Sequence, residues 1–131
     1  QLEFETINER DPFKVLGIEF QPLRLTHGPH FDVLGFRVGN FAYCTDTNFI
    51  PECSLELLTG LDTFVVDALR RKTHPTHFSV SEACDVAKTL QPRRTFLTHI
   101  CHDLDHEETN QTLPSGIQLA YDGLRFQIKL A

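Results

Sequence analysis

Four apolar, β-leaning runs in this chain each stop on a side chain able to bind a metal or move a proton: His27, Asp46, Asp67 and His99. A strand fixes its last residue through the hydrogen-bonded ladder, and the loop that follows is free to face a cleft. Side chains at the same end of neighbouring strands converge in space. Chance can place two such residues at one edge. Four of them, on four separate runs, favour a fold in which those strands lie side by side.

The remaining pattern is compatible with such a sheet. Leu2–Ile7 alternates apolar and polar, as a half-buried strand does, and Asn8–Pro12 is a turn. Phe13–Ile18 and Glu19–Leu25 read as two strands, with Gly17 marking a bend and Pro22 an edge position. Val33–Val38 and Phe41–Thr45 flank Gly39-Asn40, a hairpin signal. Pro51–Leu58 predicts a short helix and Thr63–Val66 a buried strand. Ser79 or Ser81 caps a helix reaching about Leu90, with Glu82 completing a capping box from Ser79. Thr95–Thr98 is the next strand, followed by a short helix from Asp105 to about Gln111. Asp122-Gly123 predicts a closing hairpin between Ile117–Tyr121 and Leu124–Leu130. The expected class is α+β: one partial domain, residues 1–131, with a mixed sheet covered by helices on one face.

Composition narrows the chemistry. Twelve basic and 18 acidic residues leave a net charge of −6, which argues against a nucleic-acid backbone as partner. No apolar run reaches membrane-spanning length, and Gln1–Arg10 is polar, so neither a membrane nor a secretory signal is expected. The four cysteines show no CxxC spacing; they read as reduced thiols of a cytoplasmic protein, which sets aside a thiolate or redox module. Methionine is absent and the chain opens on a strand pattern, so it is expected to be a piece of a longer polypeptide.

Leu97–His106 concentrates imidazoles and carboxylates. That donor chemistry suits zinc, iron or manganese rather than calcium. Where two metals share a bridging carboxylate, they activate water for attack on phosphorus or a carbonyl. Asp46 suits the bridge, oriented by Thr47 and the backbone, with His27 and His99 serving one metal each. His77, in the loop before a helix, is placed to donate a proton or steady an oxyanion. Asp67 would orient a ligand histidine. His30, His74 and His106 read as surface residues and Cys101 as structural.

The strings LTHG (Leu25–Gly28), VLGFRVGNFAYCTDT (Val33–Thr47), VVDALRRKTHPTHFSVSEA (Val65–Ala83), FLTHICH (Phe96–His102) and LAYDGL (Leu119–Leu124) occur here in a specific order. In that order they resemble the metallo-β-lactamase superfamily. The similarity is greatest to its cyclic-phosphodiesterase branch of phosphonate breakdown, and it runs from Leu2 to about Ile128. The resemblance implies an αβ/βα sandwich holding two divalent metals, of which this chain is the C-terminal half. It further implies His27 on the first metal, Asp46 bridging both, His99 on the second, and His77 as the catalytic or phosphate-steadying histidine. The family's HxHxDH motif is absent, so this stretch alone is expected to bind metal weakly and turn over little, since a held metal needs about four ligands. An apolar face left exposed would be covered by self-association. The expected function is metal-dependent hydrolysis of a small phosphodiester such as a cyclic phosphate. The alternative is a silent binding or assembly domain with a degenerate site.

Overall fold

A computed structural model describes residues 1–130. In chain order its elements are β1 (Phe13–Val15), β2 (Ile18–His27), β3 (Phe31–Val38), β4 (Phe41–Cys44), α1 (Glu52–Glu56), β5 (Thr63–Asp67), α2 (Val80–Leu90), β6 (Arg94–Thr98), α3 (His106–Thr112) and β7 (Ile117–Leu119). All seven strands form one sheet, laid out in sequence order. β1 to β4 pair antiparallel, whereas β4, β5, β6 and β7 are parallel. Parallel neighbours need a crossover, and α1, α2 and α3 occupy the three crossovers. Two antiparallel steps return β4 to the direction of β2. The C-terminal ends of β2, β4, β5 and β6 therefore share one edge, as the strand-end residues require.

Local chemistry accounts for the elements. Gly39 is left-handed (φ 55°), as a two-residue hairpin with glycine first requires. Ser79 caps α2: its hydroxyl accepts from Glu82 N (3.3 Å) while Glu82 Oε2 accepts from Ser79 N (2.7 Å). Val80, Ala83, Cys84 and Ala87 then keep one helical face buried. Gln91 closes the helix in the left-handed region (φ 50°). That face packs on Leu23, Leu25, Ala42, Cys44, Phe64, Val66, Leu97 and Leu119, which alternate onto a single side of the sheet. Each fully buried large side chain there contributes about 1.5–3 kcal/mol relative to exposure.

The other side of the sheet carries Phe13, Phe20 and Phe36 in a mutually packed aromatic group. Beside it Tyr43 stays 42% exposed. The C-terminal stretch crosses this side, with Phe126 stacked on Phe96 at 5.1 Å. Here two sequence expectations are corrected. Leu124–Leu130 does not pair with β7; its carbonyls at Gln127 and Lys129 accept instead from Arg94 Nη2 (2.8 Å) and Asn40 N (3.3 Å). Leu2–Ile7 forms no ladder, and Leu2 and Phe4 are 85% and 94% exposed. Alternation makes a strand only where an edge is offered to it.

Candidate metal centre

The shared edge is built on two sharp backbone turns. β4 runs out at Cys44 and Asp46 adopts φ 57°; β6 ends at Thr98 and His99 adopts φ 58°. Neither is glycine, and a side chain in the left-handed region carries a cost that the surroundings must impose. The two turns bring Asp46 Oδ1 to 3.2 Å from His99 Nε2 and 3.9 Å from His77 Nδ1. One ligand atom from each of Asp46, His77 and His99 lies within 4.8 Å of the others. Asp46 Oδ1 is buried from solvent yet accepts no hydrogen bond. An acceptor of that kind is costly to leave bare.

Behind this group lies Asp67, the last residue of a strand buried along its whole length. Its Oδ2 is 2.9 Å from His77 Nδ1 and accepts from Thr47 N at 3.2 Å. Its Oδ1 has no partner. Burial pushes the carboxyl up to about 7, against the opposing pull of the Thr47 hydrogen bond. Desolvation, then the nearby His27, lower the His77 pKa, with Asp46 opposing them. Asp67 is expected from the sequence to orient a ligand histidine; its contact in the structure is instead with His77, the histidine to which the sequence reading gives the proton. Thr47 does not reach Asp46 with its side chain. Its hydroxyl donates to the Thr26 carbonyl (2.7 Å), tying the ends of β2 and β4 together.

His27 ends β2, with its ring centroid 4.9 Å from that of His77. Its Nδ1 meets the Thr76 carbonyl at 2.9 Å. A carbonyl only accepts, so Nδ1 carries the hydrogen and Nε2 is left with a free lone pair, the form that ligates a metal. The clustered donors, Asp46, His77 and His99, are of the imidazole and carboxylate kind that suits a divalent ion of the zinc, manganese or iron type, whereas His27, its Nε2 lone pair free, lies outside that group and touches it through the ring of His77. Glycine is required next to His27: Gly28 has φ 73°, and a Cβ there would lie 2.7 Å from Thr76 Cγ2.

All four residues singled out for the site, His27, Asp46, His77 and His99, gather at this edge, where the ring centroids of His77 and His99 are 4.7 Å apart. The reading of His74 as a surface residue is corrected. It is half-buried, with its ring 5.2 Å from His77. Burial, then the charges of Arg70, His77 and His27, hold its pKa below the ordinary histidine value. The available signal was the spacing in HPTH, where Pro75 and Thr76 separate two histidines in one loop. His106 is also half-buried, packed edge-on to Tyr121 at 6.2 Å, whereas His30 is exposed as expected.

Comparison with known proteins agrees with this architecture. The model of the beta-lactamase superfamily domain matches residues 1–100. A solved structure described as a new diphosphatase from the PhnP family superimposes with a TM-score of 0.95 at 43% identity, covering 99% of this chain and 51% of that one. The metallo-beta-lactamase fold protein YhfI from Bacillus subtilis shares the fold at a TM-score of 0.74 and 16% identity, over 92% of this chain and 54% of its own. A protein named octanoyltransferase from Porphyromonas gingivalis (strain ATCC BAA-308 / W83) is 33% identical over 115 residues, which take in 86% of this chain and 23% of that protein. The chain thus spans about half the length of the first two and a quarter of the third.

Proposed function

This chain belongs to the beta-lactamase superfamily, and from that premise we propose that it is the C-terminal half of a metal-dependent hydrolase acting on a small phosphodiester such as a cyclic phosphate. The observation that carries the reading is the bare, buried Asp46 Oδ1 at the strand-end turn, 3.2 Å from His99 Nε2. A left-handed turn that aims an aspartate oxygen without a hydrogen bond at His99 favours a working metal site over a silent domain. The diphosphatase described above, 43% identical to this chain, supports reaction at phosphorus. The octanoyltransferase name belongs to a protein of which the match is 23%, and acyl transfer is not carried over.

In this reading His27, Asp46 and His99 would hold the divalent ions, Asp46 serving as their shared carboxylate. When bound, such ions supply Lewis acidity to the phosphoryl oxygens and lower the pKa of water for attack. His77 moves the proton. With Asp67 ionised, His77 Nδ1–H donates to it and Nε2 is a base; with Asp67 protonated, Nδ1 accepts and Nε2–H is a donor. Burial favours the protonated form of Asp67, the state in which His77 holds a hydrogen on Nε2 to give to the leaving oxygen. Asp67 and Thr47 keep the ring aimed. The residues on this chain fall short of the ligands two ions need, so the chain alone binds them weakly.

The test uses the longest polypeptide that contains this chain, with metal content measured by elemental analysis and hydrolysis followed on bis(p-nitrophenyl) phosphate and a 2′,3′-cyclic nucleotide. Metal-dependent release from either supports the reading. A metal-loaded protein inert towards both and towards other phosphodiesters would falsify it.

A further inference from the structure

The loop between β5 and α2 sets a second imidazole beside His77. His74 is not among the three residues whose ligand atoms cluster within 4.8 Å, yet its ring lies 5.2 Å from His77 and its orientation is fixed. Its Nδ1 faces the Thr76 backbone nitrogen at 3.3 Å and the Thr76 hydroxyl at 3.2 Å. A backbone N–H only donates, so Nδ1 accepts and the neutral ring carries its hydrogen on Nε2. The same residue holds His27 through its carbonyl (2.9 Å) and blocks the space above Gly28 with its methyl group. Thr76 thus sets two rings in opposite tautomers. His27 is turned to offer a lone pair, His74 to offer a hydrogen.

A ring fixed as a donor cannot serve a metal through the same nitrogen, but it can serve an anionic oxygen. Arg70 lies close by in the same loop, with Nε and Nη2 turned to the carbonyls of Lys72 (3.3 Å) and Thr73 (3.2 Å). Both contacts hold the chain that leads directly into His74, and neither uses Nη1. We propose that His74 is a substrate-binding residue whose Nε2–H donates to a non-bridging oxygen of the phosphoryl group, with Thr76 as its positioning residue. This rests on the phosphodiester reading of the site.

The experiment compares His74→Ala and His74→Gln with wild type in the longest polypeptide containing this chain, loaded with metal. It reads metal content, thermal melting, kcat and KM on bis(p-nitrophenyl) phosphate, and inhibition by inorganic phosphate. His74→Ala is expected to keep its metal and melting profile and to raise both KM and the inhibition constant for phosphate by about 10-fold or more, the scale of one hydrogen bond to a charged group. His74→Gln, which returns an N–H near the position of Nε2, should recover most of that loss. If wild type binds phosphate and His74→Ala binds it equally well, the role of His74 is overturned while the phosphodiester reading stands. Loss of metal from His74→Ala makes the residue a ligand and overturns the proposal too. A metal-loaded wild type that neither hydrolyses the diester nor binds phosphate removes both readings together.

Discussion

Asp62 and Asp67 stand at opposite ends of β5, five positions apart, and their carboxyl groups behave in opposite ways. Asp62 faces solvent and is held by Arg93 Nε at 2.6 Å, which draws its pKa down to about 2. Asp67 is wholly buried, meets only an imidazole and one backbone N–H, and is pushed up to about 7. One strand thus has a settled end and a reactive end. At the first, a guanidinium fixes the charge and leaves nothing to titrate near neutrality. At the second, desolvation without a cation leaves the proton free to move.

The largest expected effect, Asp46→Ala, tests whether the reactive end is a metal site. In the longest polypeptide containing this chain it should abolish binding of at least one metal and nearly all hydrolysis; retained activity would remove the bridging role. His77→Ala should keep the metal and lower kcat by about 100-fold, the usual scale of proton-transfer help. Metal lost along with rate would make His77 a ligand, an arrangement its place in the Asp46–His77–His99 group also permits. Asp67→Asn keeps the shape and removes the proton exchange. It should cost about 10-fold in kcat and flatten the pH–rate profile around neutrality.

The same substitution has a signature in stability, read on the metal-free chain by denaturant unfolding. Folding lifts Asp67 from 3.8 to about 7, so between those values the native chain holds a proton that the unfolded chain has released. Stability from this group is therefore present at low pH and falls as pH rises through the window. His74 and His77, held below their ordinary values, act in the opposite direction, so the difference between wild type and Asp67→Asn is the quantity to read. That difference should move in favour of the variant by at most about 4 kcal/mol from pH 4 to pH 7. A gap that does not change with pH would mean Asp67 is ionised throughout. The smallest effect belongs to the settled end: Asp62→Ala should leave kcat and metal content unchanged, as expected for an exposed ion pair far from the chemistry.

Much of this was legible in the chain before any fold. Strand ends announce themselves because an apolar run stops on a polar residue, and that alone found His27, Asp46, Asp67 and His99. The Ser79–Glu82 capping box was equally plain, since both partners lie within one helical turn. Contacts set at long range were not legible. Nothing in the local pattern of Leu124–Leu130 says that Arg94 and Asn40 will take its carbonyls. His74 reads as surface because its environment is set by Arg70, His77 and His27, and that grouping is not written in HPTH. The Asp67–His77 hydrogen bond needed the fold as well, since ten residues separate the two along the chain.

The left-handed turns at Asp46 and His99 carry a consequence for how such a sequence drifts. Glycine, or asparagine, would sit in either turn with less backbone strain, so stability and chemistry pull these two positions in different directions. On the proposed function, it is selection for the reaction that keeps an aspartate and a histidine there. In a gene copy released from that selection, these should be among the earliest positions to change, and towards glycine or asparagine, while the buried leucines of the same strands persist. A set of diverging copies sorted by those two residues alone would separate working enzymes from retired ones without a single assay.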